Sequence, residues 1–432
     1  MRRLYSALLA LSMPLILLRL WWRGRREPGY RRHVGERLGR YDVPGAERLV
    51  WVHAVSVGEA RAAAPLVRAL QGALPGHRIL MTCTTAAGRD TLRQVYGDSV
   101  QAGFVPYDLP SAVQRFLGHF RPRLGVLMET EVWPNLIAAC AAAGIPLVLA
   151  NARMSEKSAR GYARLSRLTR PAFAALTAVC AQSSADAERL RALGAARVQV
   201  SGNLKFDAAP NPAQLAAGRA WREALGRPVL LLASTREGEE KLLFQHLDLL
   251  SPETLVLVVP RHPQRFDEVA ELAQSRRTRN PVPAAADRVH LGDTMGEMAF
   301  YYAAADVAVI GGSFLPLGGQ NLIESLACGT PVIVGPHMFN FADATAKALA
   351  AGAAVEAADA QALVATIAVL LGDARRRKEM HDAALAFHAA HRGAADRLMA
   401  WLAPRLDAAL AARNEDAPEN AAKGAPNEAR RL

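Results

Sequence analysis

The sequence predicts an α/β protein of two doubly wound halves facing a cleft, each a parallel sheet covered by helices. Three observations carry this expectation. From Leu49 onward, short apolar runs alternate with amphipathic segments of helical period. The alternation breaks at Asp207-Ala208-Ala209-Pro210-Asn211-Pro212, a linker-like stretch, and then restarts. With 432 residues, 51% of them hydrophobic and 21% charged, the chain is long enough for two or three domains with sizeable cores.

Taken in order, the chain opens on Leu4 to Leu18, apolar but for Ser6, Ser12 and Pro14. Arg19, Leu20-Trp21-Trp22 and Arg23-Gly24-Arg25-Arg26 follow. The apolar part is short for a span of about 20 residues, and the tryptophans and arginines suit an interface with headgroups. No small-residue cleavage site follows, which argues against a removed signal peptide. Residues 1–40 hold ten arginines against Glu27 and Glu36, a net +8 out of +12 for the whole chain. Such asymmetry implies an anionic partner at one end. Nucleic acid would not need the apolar run, and no stacking aromatics are interleaved with the arginines. Anionic membrane lipid is therefore the expected partner and nucleic acid is not. More positive charge after the run than before it keeps the body cytoplasmic. Residues 1–40 are expected to form a membrane anchor and basic segment. Cys83, Cys140, Cys180 and Cys328 lack metal-ligand spacing and read as reduced core residues.

Residues 41–207 form the first expected Rossmann-like domain. Its strands are Leu49–Ala54, Arg78–Thr82, Gly103–Val105, Leu124–Met128, Leu147–Ala150, Ala178–Ala181 and Val198–Ser201. Its helices include Ala86–Tyr96, Ser111–Phe120, Pro134–Ala143 and Ala185–Leu193. Residues 208–412 form the second, with strands Val229–Ala233, Leu255–Val259, Val289–Leu291, Val307–Ile310 and Pro331–Val334. Its helices include Glu237–Leu249, Phe266–Gln274, Gly296–Ala304 and Asn321–Ala327, with alanine-rich closing helices from Ala360 to Leu410. Such βα alternation makes a parallel sheet with helices on both faces. Residues 413–432 are polar, carry prolines and are expected to be a disordered tail.

In such sheets ligands bind beyond the carboxyl ends of the strands, so polar residues there are the candidates. Ser56-Val57-Gly58-Glu59 follows the first strand and opens a helix. Glu59 is a candidate general base; alternatively, it complements the helix dipole in the first turn. Met128-Glu129-Thr130-Glu131-Val132-Trp133-Pro134 sets two carboxylates and an aromatic at another strand end. The alternative there is a helix start with Pro134 in the first turn. Gly202-Asn203-Leu204-Lys205-Phe206-Asp207 offers Lys205 to an anionic donor or a departing phosphate.

In the second half, Pro260-Arg261-His262-Pro263 ends a strand. Arginine suits phosphate or carboxylate through its planar donor fork; His262 is either a base or a structural residue. Asp293-Thr294-Met295-Gly296-Glu297 starts a helix whose backbone N–H groups can hold an anion. Gly311-Gly312-Ser313 ends a strand, and Gly318-Gly319-Gln320-Asn321-Leu322-Ile323-Glu324 leads into a helix. Glycines let backbone approach a phosphate, and Glu324 can accept from ribose hydroxyls. This pattern suggests a nucleotide-sugar site. No P-loop, zinc signature or Ser-His-Asp context appears.

Together these motifs resemble the 3-deoxy-D-manno-octulosonic acid (Kdo) transferases of Gram-negative bacteria. The resemblance runs from the N-terminal segment to about residue 400 and includes Asn151-Ala152-Arg153, Gly292-Asp293-Thr294-Met295-Gly296-Glu297 and Gly335-Pro336-His337. It implies a glycosyltransferase fold of the GT-B type. It also implies transfer of Kdo from CMP-Kdo to a lipid A precursor (lipid IVA) at the cytoplasmic face of the inner membrane. By the resemblance, Glu59 is the general base, while Glu129 and Lys205 support the transition state. Pro260, Arg261, Met295, Gly296, Glu297, Asn321, Leu322, Ile323 and Glu324 hold CMP. The family pattern Arg-Gly-Gly-His-Asn is here Leu317-Gly318-Gly319-Gln320-Asn321, so the backbone remains as a phosphate site without the two basic side chains. No cofactor and no metal is expected, because the departing CMP is a monophosphate that basic groups can stabilise. A single base opposite the leaving group implies inversion. The alternative is a UDP-sugar-dependent transferase or epimerase of the same fold.

Overall fold

The computed structural model describes residues 1–25 and 27–415. The chain divides into two units, Met1–Ala208 with the segment beginning at Gly393, and Ala209–Arg392.

In the first unit seven strands form one parallel sheet: β1 Leu49–His53, β2 Arg78–Cys83, β3 Gln101–Phe104, β4 Leu124–Met128, β5 Leu147–Ala152, β6 Ala178–Ala181 and β7 Val198–Val200. Their order is β3-β2-β1-β4-β5-β6-β7, so the winding reverses between β1 and β4. β1 is buried along its whole length because helices cover both faces. Leu49 and Trp51 enter one core layer with Phe116, Phe120 and Leu149. Val50 and Val52 enter the other with Leu66, Leu70 and Val148. Trp51 fits only because Gly125 stands opposite it on β4; a Cβ there would lie 2.5 Å from Leu147 and 3.0 Å from the indole.

The second sheet comprises β8 Val229–Thr235, β9 Leu255–Pro260, β10 Ser275–Arg276, β11 Val289–Leu291, β12 Val307–Ile310, β13 Val332–Val334 and β14 Ala354–Glu356. Its order is β10-β11-β9-β8-β12-β13-β14, with the reversal between β8 and β12. Two parallel seven-stranded sheets with helices between the strands agree with the expected class.

Three segments depart from the sequence reading. The closing helix Ala394–Glu415, assigned above to residues 208–412, belongs to the first unit. Ala394, Ala395, Leu398 and Leu402 share one helix face and complete the core layer that contains Val50 and Val52. Asp207, read as linker, secures that return: its carboxylate accepts from the N–H groups of Gly393 (2.6 Å), Ala394 (3.2 Å) and Ala395 (2.6 Å). Arg413 to Glu415, placed in a disordered tail, end this helix; residues 416–432 lie outside the described residues.

The third departure concerns residues 1–40. The helix Arg2–Arg23 exposes Leu4, Leu8, Leu11, Leu15, Leu18 and Trp22, a stripe spaced by three and four residues. Its other side docks: Met13 is buried, and the Asn135 side chain donates to Ser6 at 2.9 Å. In Pro28 to Arg40, Arg31, Arg32 and Arg40 are exposed as expected of a basic segment, but other members are not. Tyr30, Glu36 and Arg37 are buried. Glu36 takes a two-point ion pair from Arg89 (2.6 and 3.0 Å) and the N–H of Phe104 (2.8 Å). Burying the Glu36 and Arg89 charges is tolerable because they pair with each other and Glu36 takes a backbone N–H as well. Arg26, part of the expected basic cluster, lies outside the described residues.

Candidate active site

The reversal between β1 and β4 places the ends of those two strands side by side, which is where open sheets of this kind bind ligands. After β1, Ser56 caps the helix Val57–Ala62, its hydroxyl accepting from the Glu59 N–H. The Glu59 carboxylate folds back, accepting from the Val55 N–H (3.0 Å) and the Ser56 hydroxyl (3.0 Å). The Glu59 N–H and carboxylate together close a reciprocal cap at the helix start. Burial pushes the Glu59 carboxyl up to about 7, and the charges of Glu129 and Glu131 push the same way. A carboxylate poised near neutrality suits a general base.

After β4, Glu129 takes φ +57°, a strained conformation for a non-glycine residue. Its carboxylate pairs with the Lys205 ammonium at 2.9 Å, both side chains about one-fifth exposed. The Lys205 loop is placed from β5: Asn151, fully buried and also at positive φ (+52°), accepts from the Leu204 N–H at 3.0 Å. Asn203 then accepts from the Lys205 N–H. The structure thus brings together Glu59, Glu129 and Lys205, which lie far apart in sequence. Glu131 sits beside them, held by the Trp133 indole N–H at 2.6 Å and shifted upward by burial.

In the second unit, the sequence-predicted residues lie at the carboxyl ends of β9, β11 and β12. Arg261, after Pro260, donates to Gln320 at 3.1 Å, which ties it to the glycine-rich loop. In that loop Gly318 and Gly319 both take positive φ, and added Cβ atoms would collide with Asn340 and Met338. These glycines therefore serve packing as well as any ligand. Asn321 caps the helix Leu322–Cys328, accepting from the Ile323 N–H, and its side chain donates to Glu324 at 3.0 Å. Leu322 and Ile323 are buried in the core, so they offer backbone alone. Met295 is exposed and Gly296 is at positive φ. Glu297 is already gripped by Arg277 at 2.9 and 3.2 Å.

Sequence reasoning missed two residues here. Arg236 follows β8 as Arg261 follows β9, and both lie close enough to His262 to lower its pKa, after burial and together with Arg265. Glu239, buried, accepts from the N–H groups of Arg236 (3.0 Å), Gly312 (2.6 Å) and Phe314 (3.3 Å), latching the ends of β8 and β12 together. An arginine directly past a strand end was the available signal for the first. A carboxylate in the first turn of a helix, Glu239–Phe244, was the signal for the second.

Comparison with known proteins gives the family and the fold. Residues 32–208 match the family described as 3-deoxy-D-manno-octulosonic-acid transferase (kdotransferase). Residues 253–386 match glycosyl transferases group 1. A 3-deoxy-D-manno-octulosonic acid transferase of Bordetella pertussis is 47% identical over 428 residues, covering 93% of this chain and 99% of the relative. The chain belongs to the 3-deoxy-D-manno-octulosonic acid transferase family. The Haemophilus influenzae transferase is 35% identical, with 94% and 99% coverage. Solved structures extend the likeness of fold. A UDP-GlcNAc 2-epimerase of Neisseria meningitidis bound to UDP-GlcNAc has a TM-score of 0.56 at 15% identity, covering 82% of this chain and 99% of its own. A glycosyltransferase of Rickettsia africae has 0.57 at 14%, with 85% and 99%. The fold is GT-B-like, as the sequence implied, and the family's activity makes the chain a glycosyltransferase that transfers Kdo.

Proposed function

We propose that the protein transfers Kdo from CMP-Kdo to a lipid A precursor (lipid IVA), by inversion and without a metal ion. The observation that carries this reading is the carboxylate pair at the β1–β4 reversal, with Glu59 near neutrality and Glu129 neutralised by Lys205. Glu59 takes the proton of the acceptor hydroxyl as its oxygen bonds to the anomeric carbon of Kdo. The bond from that carbon to the CMP phosphate breaks, and its electron pair leaves on the phosphate oxygen. Glu129 and Lys205 stabilise the charge that develops. In the second unit Arg261 and Arg236 take the phosphate, Glu324 the ribose hydroxyls, and the backbone from Met295 to Glu297 and from Asn321 to Ile323 completes the donor site.

Calorimetric titration separates this from a UDP-sugar enzyme. CMP should bind more tightly than UDP. Arg261→Ala removes a charge-assisted hydrogen bond and should weaken CMP by about 1.5–3 kcal/mol. Arg261→Lys should recover only part, because lysine lacks the fork. Native CMP affinity in Arg261→Ala would put the phosphate elsewhere.

We also propose that the helix Arg2–Arg23 holds the enzyme at the cytoplasmic side of the inner membrane. It is long and apolar enough to cross a bilayer, with a mean hydropathy of 1.7 and 6% of its apolar window buried. Its exposed leucine stripe beside Arg19 and Arg23 also suits a helix lying against anionic lipid. The triple change Leu8→Ser, Leu11→Ser, Leu15→Ser spares the docked side. It should lower binding to anionic liposomes more than tenfold, since burial of each leucine is worth about 1.5–3 kcal/mol. Unchanged sedimentation with liposomes would contradict the assignment.

A further inference from the structure

Beside the carboxylate site, the first unit holds a cavity of about 320 Å³ that none of the roles above uses. Arg19 and Arg23 reach it from the N-terminal helix, Arg37 from the segment that follows, and Tyr107 and Trp133 from strand-end loops. Arg37 is the unusual member. It is 3% exposed, and its guanidinium lies 4.0 Å from the Phe104 ring centroid and donates to the Thr84 carbonyl at 2.8 Å. Its Nε has no hydrogen-bond partner. Among the described residues no carboxylate pairs with it, because the neighbouring Glu36 is taken by Arg89. A buried cation without a counter-ion is costly, and it becomes favourable when an anion arrives to share it. Arg19 and Arg23 are exposed and add positive charge at the same cavity. Arg23 is 3.8 Å from Glu27 in a solvated pair that costs little to leave.

Two contacts join this cavity to the chemistry. Trp133, on its wall, holds Glu131. Thr84, also on its wall, donates through its N–H and its hydroxyl to the Val55 carbonyl, in the turn whose N–H binds Glu59. Part of the apolar lining comes from Ile16 and Leu20 on the helix that bears the exposed leucine stripe, and part from Val105 and Pro106. An occupant therefore meets cations and apolar side chains together, Arg19 and Arg23 alternating with Ile16 and Leu20 along one helix.

We propose that this cavity binds a phosphate group carried on an acylated lipid, with Arg37 as the buried anchor and Arg19 and Arg23 closing on the phosphate oxygens. The inference deepens the proposed function and rests on it for one source of that phosphate, the acceptor itself; a bilayer phospholipid is the other.

The test uses the full chain and the exposed pair Arg19→Gln/Arg23→Gln, which leaves the buried Arg37 in place. An unchanged thermal unfolding transition and circular dichroism spectrum confirm that the variant is folded. If the acceptor's phosphate is the occupant, native protein should show a KM for phosphorylated acceptor at least about tenfold below that for acceptor stripped of phosphate, the scale of a charge-assisted bond. The variant should lose that difference with kcat retained. Binding of monomeric short-chain phosphatidic acid, followed by calorimetry against inorganic phosphate, needs no acceptor. Native protein should bind the lipid form more tightly, and the variant should bind it about tenfold more weakly or worse. Loss of that binding with the acceptor difference intact assigns the cavity to a bilayer phospholipid. If the variant shows neither effect, the proposal is overturned. If native protein transfers Kdo to neither acceptor, the functional reading fails, and the phosphatidic acid titration still decides the cavity.

Discussion

Glu59→Gln should lower turnover about 100-fold or more, the usual scale for losing a general base, with CMP affinity unchanged. The substitution keeps the length and polarity of the side chain and removes only its ability to take a proton. The pH profile carries the second half of this prediction. Burial and the charges of Glu129 and Glu131 raise the Glu59 carboxyl to about 7, so the basic form is depleted as pH falls through that value. In native enzyme kcat/KM should therefore fall about tenfold per pH unit below neutrality. That limb should vanish in Glu59→Gln. Native-like turnover in the variant, or an acidic limb that survives the substitution, would remove Glu59 from the chemistry.

Lys205→Ala should lower kcat by about 10²–10³, the range seen when a preorganised group facing developing charge is deleted. It should also move the acidic limb. Lys205 neutralises Glu129 at 2.9 Å, and Glu129 is the largest charge contribution raising Glu59. Without the ammonium, the bare Glu129 charge makes Glu59 harder to ionise, so the limb shifts to higher pH. Glu129→Gln should shift it to lower pH by removing the same repulsion. A purely structural role for the pair predicts lost stability in both variants and no opposite movement of the limb.

The strands around both reversals were legible because a central parallel strand is buried on two faces and reads as an unbroken apolar run. Leu124–Met128, Ala178–Ala181, Val289–Leu291 and Val307–Ile310 stand at the bounds the sequence suggests. The helices Glu156–Arg164 and Ser166–Ala174 were not legible; the first has no fully buried residue and sets only Ala159 and Tyr162 partly against the core, too little to mark an apolar face. The closing helix shows a different limit. An amphipathic face announces that it will be buried, but not against which sheet, and Ala394–Glu415 returns across the chain to a carboxylate at Asp207. Charge counting misjudged Glu36 and Arg37 for a related reason. Their burial depends on Arg89 and Phe104, dozens of residues away.

In the site, Glu59 and Glu129 could be singled out because each stands just past the end of a buried strand. That they act on one another follows only from the order β1-β4, which no local pattern encodes. The same holds for the Lys205 pair and for Asn151, which reaches from the end of β5 to the Leu204 N–H beyond β7. Arg236 and Glu239 escaped notice because Ser234-Thr235-Arg236 carries no glycine or proline to mark a strand end.

The most direct measurement is mass spectrometry of the product formed from purified protein, a lipid A precursor and CMP-Kdo, with the anomeric configuration of the new linkage read by NMR. The expected product is heavier by whole Kdo residues, with the configuration opposite to that of the donor, unaffected by a metal chelator and not formed with UDP-N-acetylglucosamine. Retention of configuration, dependence on an added metal, or transfer from the UDP-sugar with none from CMP-Kdo would contradict the proposed function.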